Sequence, residues 1–356
     1  MALSSRLSAT LMAAAALPIV AVSAVVGTEF RPAPTEDTQT VVPVSLPWEE
    51  NKDTFEVISW NLQFSASRKY HFFYDGGQDV IASEEDVIQT LEAIQKVIDD
   101  NRPDILLLQE IDRHSTRTAN VDQLRWLLSR DSQWSWTSTP YFKAPYVPHP
   151  GHQHMGRVHM DLAILSRAQL SDGKRIALPL LDEPRWRQMF NLKRALLTSQ
   201  LHPPGSSTPI QIGVTHLSAF SKGDGTMAKQ VAKLMEWVDS LPPNTPWILA
   251  GDFNLLPPQD SPSRLGDDSQ LYAETDNPIA PLMKYKMAFP EMMSQAAFSY
   301  LPFGASEPDR KIDYLFYGGP LEVVDAEVLT SANQISDHLP LRVKFKMTDV
   351  GKSNQQ

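Results

Sequence analysis

Carboxylate, amide and imidazole side chains recur in this sequence where apolar, β-branched runs should end. Asn61 follows the run Glu56–Trp60, and Glu110 follows Ile105–Gln109. Thr215-His216-Leu217 closes another run, and Trp247–Gly251 leads into Asp252-Phe253-Asn254. Asp313 lies inside Ile312-Asp313-Tyr314, and Ser336-Asp337-His338 precedes the run that starts at Leu341. A lone carboxylate at a strand end is an ordinary turn residue. Several such places, together holding Asp, Glu, Asn and His, are poorly explained as turns. Acidic and amide oxygens are what a hard divalent cation such as Mg²⁺ takes, with water and phosphate completing its shell. A histidine oriented by a carboxylate can move a proton near neutral pH.

Composition narrows the setting. The chain has 356 residues, 42% hydrophobic and 21% charged, which are globular values. Its 32 basic and 42 acidic side chains leave a formal net charge of −10. That argues against a protein that holds nucleic acid by bulk positive charge. Cysteine is absent, which excludes disulfides, thiolate metal sites, iron–sulfur clusters and a cysteine nucleophile.

The elements that must position these residues are mostly strands. Short β-branched runs predict strands at Phe55–Trp60, Ile105–Gln109, Trp134–Thr139, Leu162–Leu165, Ala195–Leu201, Ile210–Leu217, Trp247–Ala250, Ile312–Tyr317, Val323–Leu329 and Leu341–Phe345. Ser83 can cap a helix whose Val87, Leu91, Ile94 and Ile98 share one face. Val121–Leu128 and Met227–Leu241 predict two more helices. Strands interspersed with helices suggest two sheets packed face to face with helices outside.

The ordered set Trp60-Asn61, Gln109-Glu110, Thr215-His216-Leu217, Gly251-Asp252-Phe253-Asn254, Ile312-Asp313-Tyr314 and Ser336-Asp337-His338 resembles the endonuclease/exonuclease/phosphatase superfamily, with its deoxyribonuclease I-like fold. The likeness runs from about Phe55 to Phe345. It implies an α/β (α+β) fold, a four-layer α/β/β/α sandwich, and hydrolysis of a phosphate ester with Mg²⁺ or Mn²⁺. Carried over position by position, Glu110 becomes the principal metal ligand, with Asn61 beside it and Asp337 in support. His338 becomes the base that deprotonates water, oriented by Asp313. Asp252 protonates or steers the leaving oxygen, and Asn254 and His216 donate to the phosphoryl oxygens. A catalytically silent binding module on the same fold would be expected to lose one or more of these groups, and this chain keeps them.

The termini and insertions bear on location and substrate. Arg6 followed by the apolar run Leu7–Val26 predicts an export signal cleaved near Ala24, or a retained N-terminal anchor, over residues 1–26. Residues 27–53, with Pro32, Pro34, Pro43 and Pro47, predict an extended linker, and residues 348–356 a frayed tail, leaving a catalytic domain at 54–347. An aromatic stretch at Lys69–Tyr74 should overhang the site, and Pro257–Pro308 either covers a satellite core or faces substrate or membrane. His149, His152, His154 and His159 suit a polar loop better than a metal site. Arg113, His114, Arg117 and Asp122 are candidate phosphate-side contacts. Export, acidity and aromatics favour a lipid head group or small phosphodiester, with contact at a membrane surface. The competing substrate is nucleic acid, for which Arg185-Trp186-Arg187 is the best patch.

Overall fold

The computed structural model describes residues 27–50, 52–219, 223–274, 276–291 and 293–348. The expected export segment and the tail beyond Thr348 lie outside them. Among the described residues no helix is long and apolar enough to cross a membrane.

Among the described residues fourteen strands form two sheets of seven. They are β1 (Thr35–Asp37), β2 (Thr40–Val41), β3 (Thr54–Asn61), β4 (Ile105–Asp112), β5 (Ser135–Val147), β6 (Gly156–Ser166) and β7 (Gln169–Ala177). There follow β8 (Ala195–His202), β9 (Ile210–His216), β10 (Trp247–Asp252), β11 (Lys286–Met287), β12 (Asp313–Gly318), β13 (Leu321–Val328) and β14 (Leu341–Met347). One sheet has the order β1-β7-β8-β9-β10-β12-β11, the other β13-β14-β3-β4-β6-β5-β2. The α-helices among the described residues are α1 (Glu84–Asn101), α2 (Gln123–Arg130), a single turn α3 (Arg185–Gln188) and α4 (Thr226–Asp239).

Alternating side chains sort the layers. In β3 and β4, Phe55, Val57, Ile105 and Leu107 face the other sheet's Leu197, Ile212, Val214 and Ile248. Their neighbours Ile58, Trp60, Leu106 and Leu108 face outward and are covered by Val87, Leu91, Ile94 and Ile98 of α1. On the opposite flank Met227, Val231, Leu234 and Val238 of α4 cover Leu196, Leu249 and Phe316. Ser83 caps α1 as predicted, its hydroxyl accepting the Asp86 N–H at 3.1 Å.

Two parallel pairs set the site. β3 runs parallel to β4 through the crossover α1, and β9 parallel to β10 through α4. β14 is antiparallel to β3 and β12 antiparallel to β10. The C-terminal ends of β3, β4, β9 and β10 therefore share one rim with the start of β12 and the approach to β14.

The structure departs from expectation in three places. β7 was not anticipated, because Ser171-Asp172-Gly173 reads as a turn; it is a bulge, with Asp172 at φ 51° and a register shift between Ser171 and Lys174. The stretch expected as a free linker instead lends a strand to each sheet, Thr35–Asp37 against Lys174–Ile176 and Thr40–Val41 against Trp136–Thr137. Threonines suit an edge strand, and edge backbone groups gain by being paired. The long insertion after Asn254 mainly covers core: Ile279 and Leu282 pack with α4, and Ala288, Phe289 and Ala297 join the layer between the sheets.

Candidate active site

Register alone brings much of the predicted set together. Asp252 at the end of β10 lies opposite His216 of β9 on one side and Asp313 of β12 on the other. Gly251 makes this possible: at φ 145° a Cβ there would fall 1.9 Å from the Thr215 carbonyl oxygen. Asn61, closing β3, reaches across from the second sheet and donates to Asp252 Oδ2 at 3.0 Å.

Glu110 arrives by a bulge. Leu108 and Ile111, three residues apart, both face the helix layer, and the pairing of β4 with β6 shifts between them. Glu110 sits at φ 57°, a left-handed conformation costly for a residue with a Cβ. The bulge turns Glu110 to the cavity instead of into the α1 core, and no local sequence signal announces it. Its Oε1 lies 3.7 Å from His216 Nδ1.

Contacts under 4 Å then run continuously through the cluster. His216 Nε2 is 3.2 Å from Asp252 Oδ2, and that oxygen is 3.6 Å from His338 Nε2. His338 Nδ1 meets Asp313 Oδ2 at 2.8 Å, so the expected carboxylate–imidazole pair is present. Ser299 donates to the same Asp313 oxygen at 2.6 Å. The backbone of His338 is fixed by Trp60 Nε1, which donates to its carbonyl at 2.8 Å, and by Ser336, which accepts its N–H at 3.1 Å. Asp337 and Asn254 line the same cavity; Asn254 N–H donates to Asp252 Oδ1 at 2.9 Å. Neither Lys311 nor Arg310 takes Asp313 away: Lys311 donates to the Phe289 carbonyl and Arg310 pairs with Asp309 and Asp268.

His216 is buried and spends both ring nitrogens inside the protein, Nδ1 on the Tyr141 hydroxyl at 3.1 Å and Nε2 on Asp252. Donation to a phosphoryl oxygen would have to displace one of these contacts. Burial, reinforced by Arg194 and His338, holds His216 well below its ordinary value, so the ring is neutral. Burial would also lower His338, but Asp313, Asp252 and Asp337 outweigh it and hold this ring well above its ordinary value. Burial pushes Asp252 up to about 7, opposed by His338 and helped by Asp313. Burial likewise lifts Asp337 to about 7, with His338 opposing and Glu110 adding, and raises Glu110 against the pull of Arg117.

This is a set of hard oxygen donors short of positive charge, which fits a divalent cation. Among the described residues, one group of metal-capable side chains has donor atoms within 4.8 Å of one another: Asp252, Asp313 and His338. The expected ligands Glu110, Asn61 and Asp337 adjoin it. The histidines of the 149–159 loop do not gather. His154 meets Tyr146, His152 the Gln78 carbonyl, and His159 Asp161, while His149 lines the cavity. Of the candidate phosphate-side groups, Arg113 and His114 turn to Asp122, and Arg117 pairs with Asp112 while lining the cavity.

The cavity measures about 830 Å³. Of the stretch expected to overhang it, Phe73 and Tyr74 line the cavity beside Asp75, whereas Lys69 and Tyr70 turn to Asp86 and Phe72 packs on Phe64. Sequence reasoning missed Tyr141, Ser299 and Arg194. Each lies outside any motif and joins the site through long-range packing.

The fold is shared with several solved structures. An endonuclease/exonuclease/phosphatase protein from Beutenbergia cavernae superposes with a TM-score of 0.60 at 21% identity, over 85% of this chain and 74% of that one. The catalytic domain of human Nocturnin, described with a bound sulfate anion, gives 0.54 at 19% identity, over 87% and 98%. A humanized D. rerio TDP2 gives 0.54 at 13% identity, over 83% and 100%. No curated protein matches the sequence. The model of the Endonuclease/Exonuclease/phosphatase family matches residues 58–338, which takes in every predicted site residue, and the chain belongs to that family.

Proposed function

We propose that this chain is an exported, divalent-metal-dependent phosphodiesterase whose substrate carries an apolar group, a lipid head-group diester in preference to nucleic acid. The carrying observation is that one cavity joins the acid–imidazole cluster to an apolar wall of Phe142, Val147, Leu180, Leu181, Trp186 and Phe190. Leu180 is 37% and Trp186 63% exposed, an arrangement suited to an amphiphile at a membrane–water boundary. The bound sulfate of the Nocturnin domain supports anion binding on this fold.

Glu110, Asn61 and Asp337 would hold Mg²⁺ or Mn²⁺, with Asp252 alongside. Bound there, the cation supplies Lewis-acid stabilisation of negative charge on phosphoryl oxygen. The protein's own groups handle the protons. Asp313 fixes the Nδ1–H of His338, and once a cation offsets the carboxylates that raise this ring, Nε2 can take a proton from the attacking water. Asp252, titrating at about 7, can return a proton to the leaving oxygen. Asn254, held by its bonds to Asp252 and to the Leu217 carbonyl, orients a phosphoryl oxygen.

The test is Mg²⁺-dependent hydrolysis of phospholipid vesicles and of bis(p-nitrophenyl) phosphate, beside plasmid nicking at low and high salt. Head-group release without nicking is the expected result. Nicking without lipid turnover would replace the lipid substrate by nucleic acid. Absence of turnover of either, with His338→Ala indistinguishable from wild type, would leave a binding module.

A further inference from the structure

A buried guanidinium stands beside the cluster that the chemistry above does not use. Arg194, the residue before β8, is 7% exposed and lines the cavity. Its Nη1 is enclosed and has no hydrogen-bond partner, and the side chain forms no ion pair among the described residues. The cavity's other arginines differ. Arg117 is paired with Asp112, Arg310 with Asp309 and Asp268, and Arg187 with Glu183.

Arg194 is held in place rather than left over. Its carbonyl accepts the Leu178 N–H at 3.0 Å, and the preceding Lys193 N–H donates to the Tyr141 carbonyl at 2.6 Å. Buried Arg175 donates to the Lys193 carbonyl at 2.6 Å. The guanidinium lies 5.4 Å from the centre of the Tyr141 ring, the same ring whose hydroxyl meets His216. Burying a charge without a partner is costly, and a methionine would fill the volume at less expense. Glu110 and Asp252 act on Arg194 only through space, with no hydrogen bond or ion-pair contact to recover its desolvation.

We propose that Arg194 is an anion-recognition residue of this site, its guanidinium donating to a non-bridging phosphoryl oxygen of the bound diester. The identity of that anion rests on the phosphodiesterase reading; the presence of an unpartnered cation in the cavity does not. A guanidinium presents a planar fork of donors matched to phosphate oxygens, which a lysine ammonium lacks.

The experiment compares wild type, Arg194→Met, Arg194→Lys and Arg194→Gln by calorimetric titration with inorganic phosphate in Mg²⁺ buffer, with thermal melts in phosphate-free buffer. Arg194→Met is expected to weaken phosphate about tenfold or more, Arg194→Lys to recover part of that, and the phosphate-free melt of Arg194→Met to match or exceed wild type. The same variant should lower kcat/KM for bis(p-nitrophenyl) phosphate by a similar factor. If Arg194→Met does not fold, Arg194→Gln, which keeps the length, carries the comparison. Unchanged phosphate affinity in the folded variants overturns the proposal, whatever happens to the melt. Wild type that binds phosphate through Arg194 yet hydrolyses no diester would overturn the phosphodiesterase reading and leave this one standing.

Discussion

Asp252 is the residue through which the cluster is wired. Its Oδ2 accepts from Asn61 and lies 3.2 Å from His216 Nε2 and 3.6 Å from His338 Nε2, while its Oδ1 accepts the Asn254 N–H. Replacing His338 with Ala should lower kcat/KM by about 10²–10⁴-fold, because the ring serves proton transfer, and should lower the melt as well, because Asp313 loses its buried partner. A pH effect follows from the raised carboxyls. Asp252 and Asp337 move from 3.8 to about 7 on folding, so between these values the native state binds more protons than the unfolded one. Stability of the metal-free protein therefore falls as pH rises through this range. His338, also raised, adds to the loss above its ordinary value, whereas the lowered His216 opposes it only on the acid side. Melts in EDTA should drop as pH rises toward about 7, and Mn²⁺ should restore most of the loss there. Glu110→Gln should abolish most of that restoration. A melting temperature that climbs with pH in EDTA would contradict the whole electrostatic account.

At the scale of elements, the rim depends on backbone features that homogeneous strands would not provide. The β4 bulge turns Glu110 to the cavity at the cost of a left-handed φ, and Gly251 lets β9 and β10 close beside Asp252. Gly251→Ala would force a methyl against the Thr215 carbonyl. The expected cost is about 3 kcal/mol or more in urea unfolding, with activity lost in parallel. An unchanged unfolding midpoint would show that the strands can slide apart without harm. Ten strands and three helices were legible from periodicity because one face of each packs against a core. β7 was not, since its bulge carries the residues of a turn.

Over the whole molecule, the N-terminal segment ties the two sheets at one edge, β1 to one and β2 to the other. Trp48 joins the inter-sheet core against Phe55, with ring centroids 5.6 Å apart. A chain beginning at Thr54 should therefore melt several degrees lower than one beginning at Gly27, as calorimetry would show. Equal melting would return residues 27–53 to the status of a spacer. Both insertions line the cavity, Phe73 and Tyr74 from one and Leu271 and Tyr272 from the other, and they meet where His71 stacks on Phe303 with ring centroids 4.0 Å apart. Their composition pointed to apolar contact, but which residues would face solvent and which the core depended on where each loop folded back.

Residue types and their order along the chain were enough to establish the chemical inventory, the family likeness and the parity of most strands. These properties follow from side-chain chemistry and from repeats a few residues long, which are local. The tertiary structure alone decided that Glu110 turns to the cavity, that His216 is already committed to Tyr141 and Asp252, that Arg194 keeps a buried nitrogen without a hydrogen-bond partner, and that the supposed linker pairs with both sheets. Each of these depends on groups distant in sequence being desolvated together. Burial and partnership are properties of a three-dimensional neighbourhood, and no local pattern carries them.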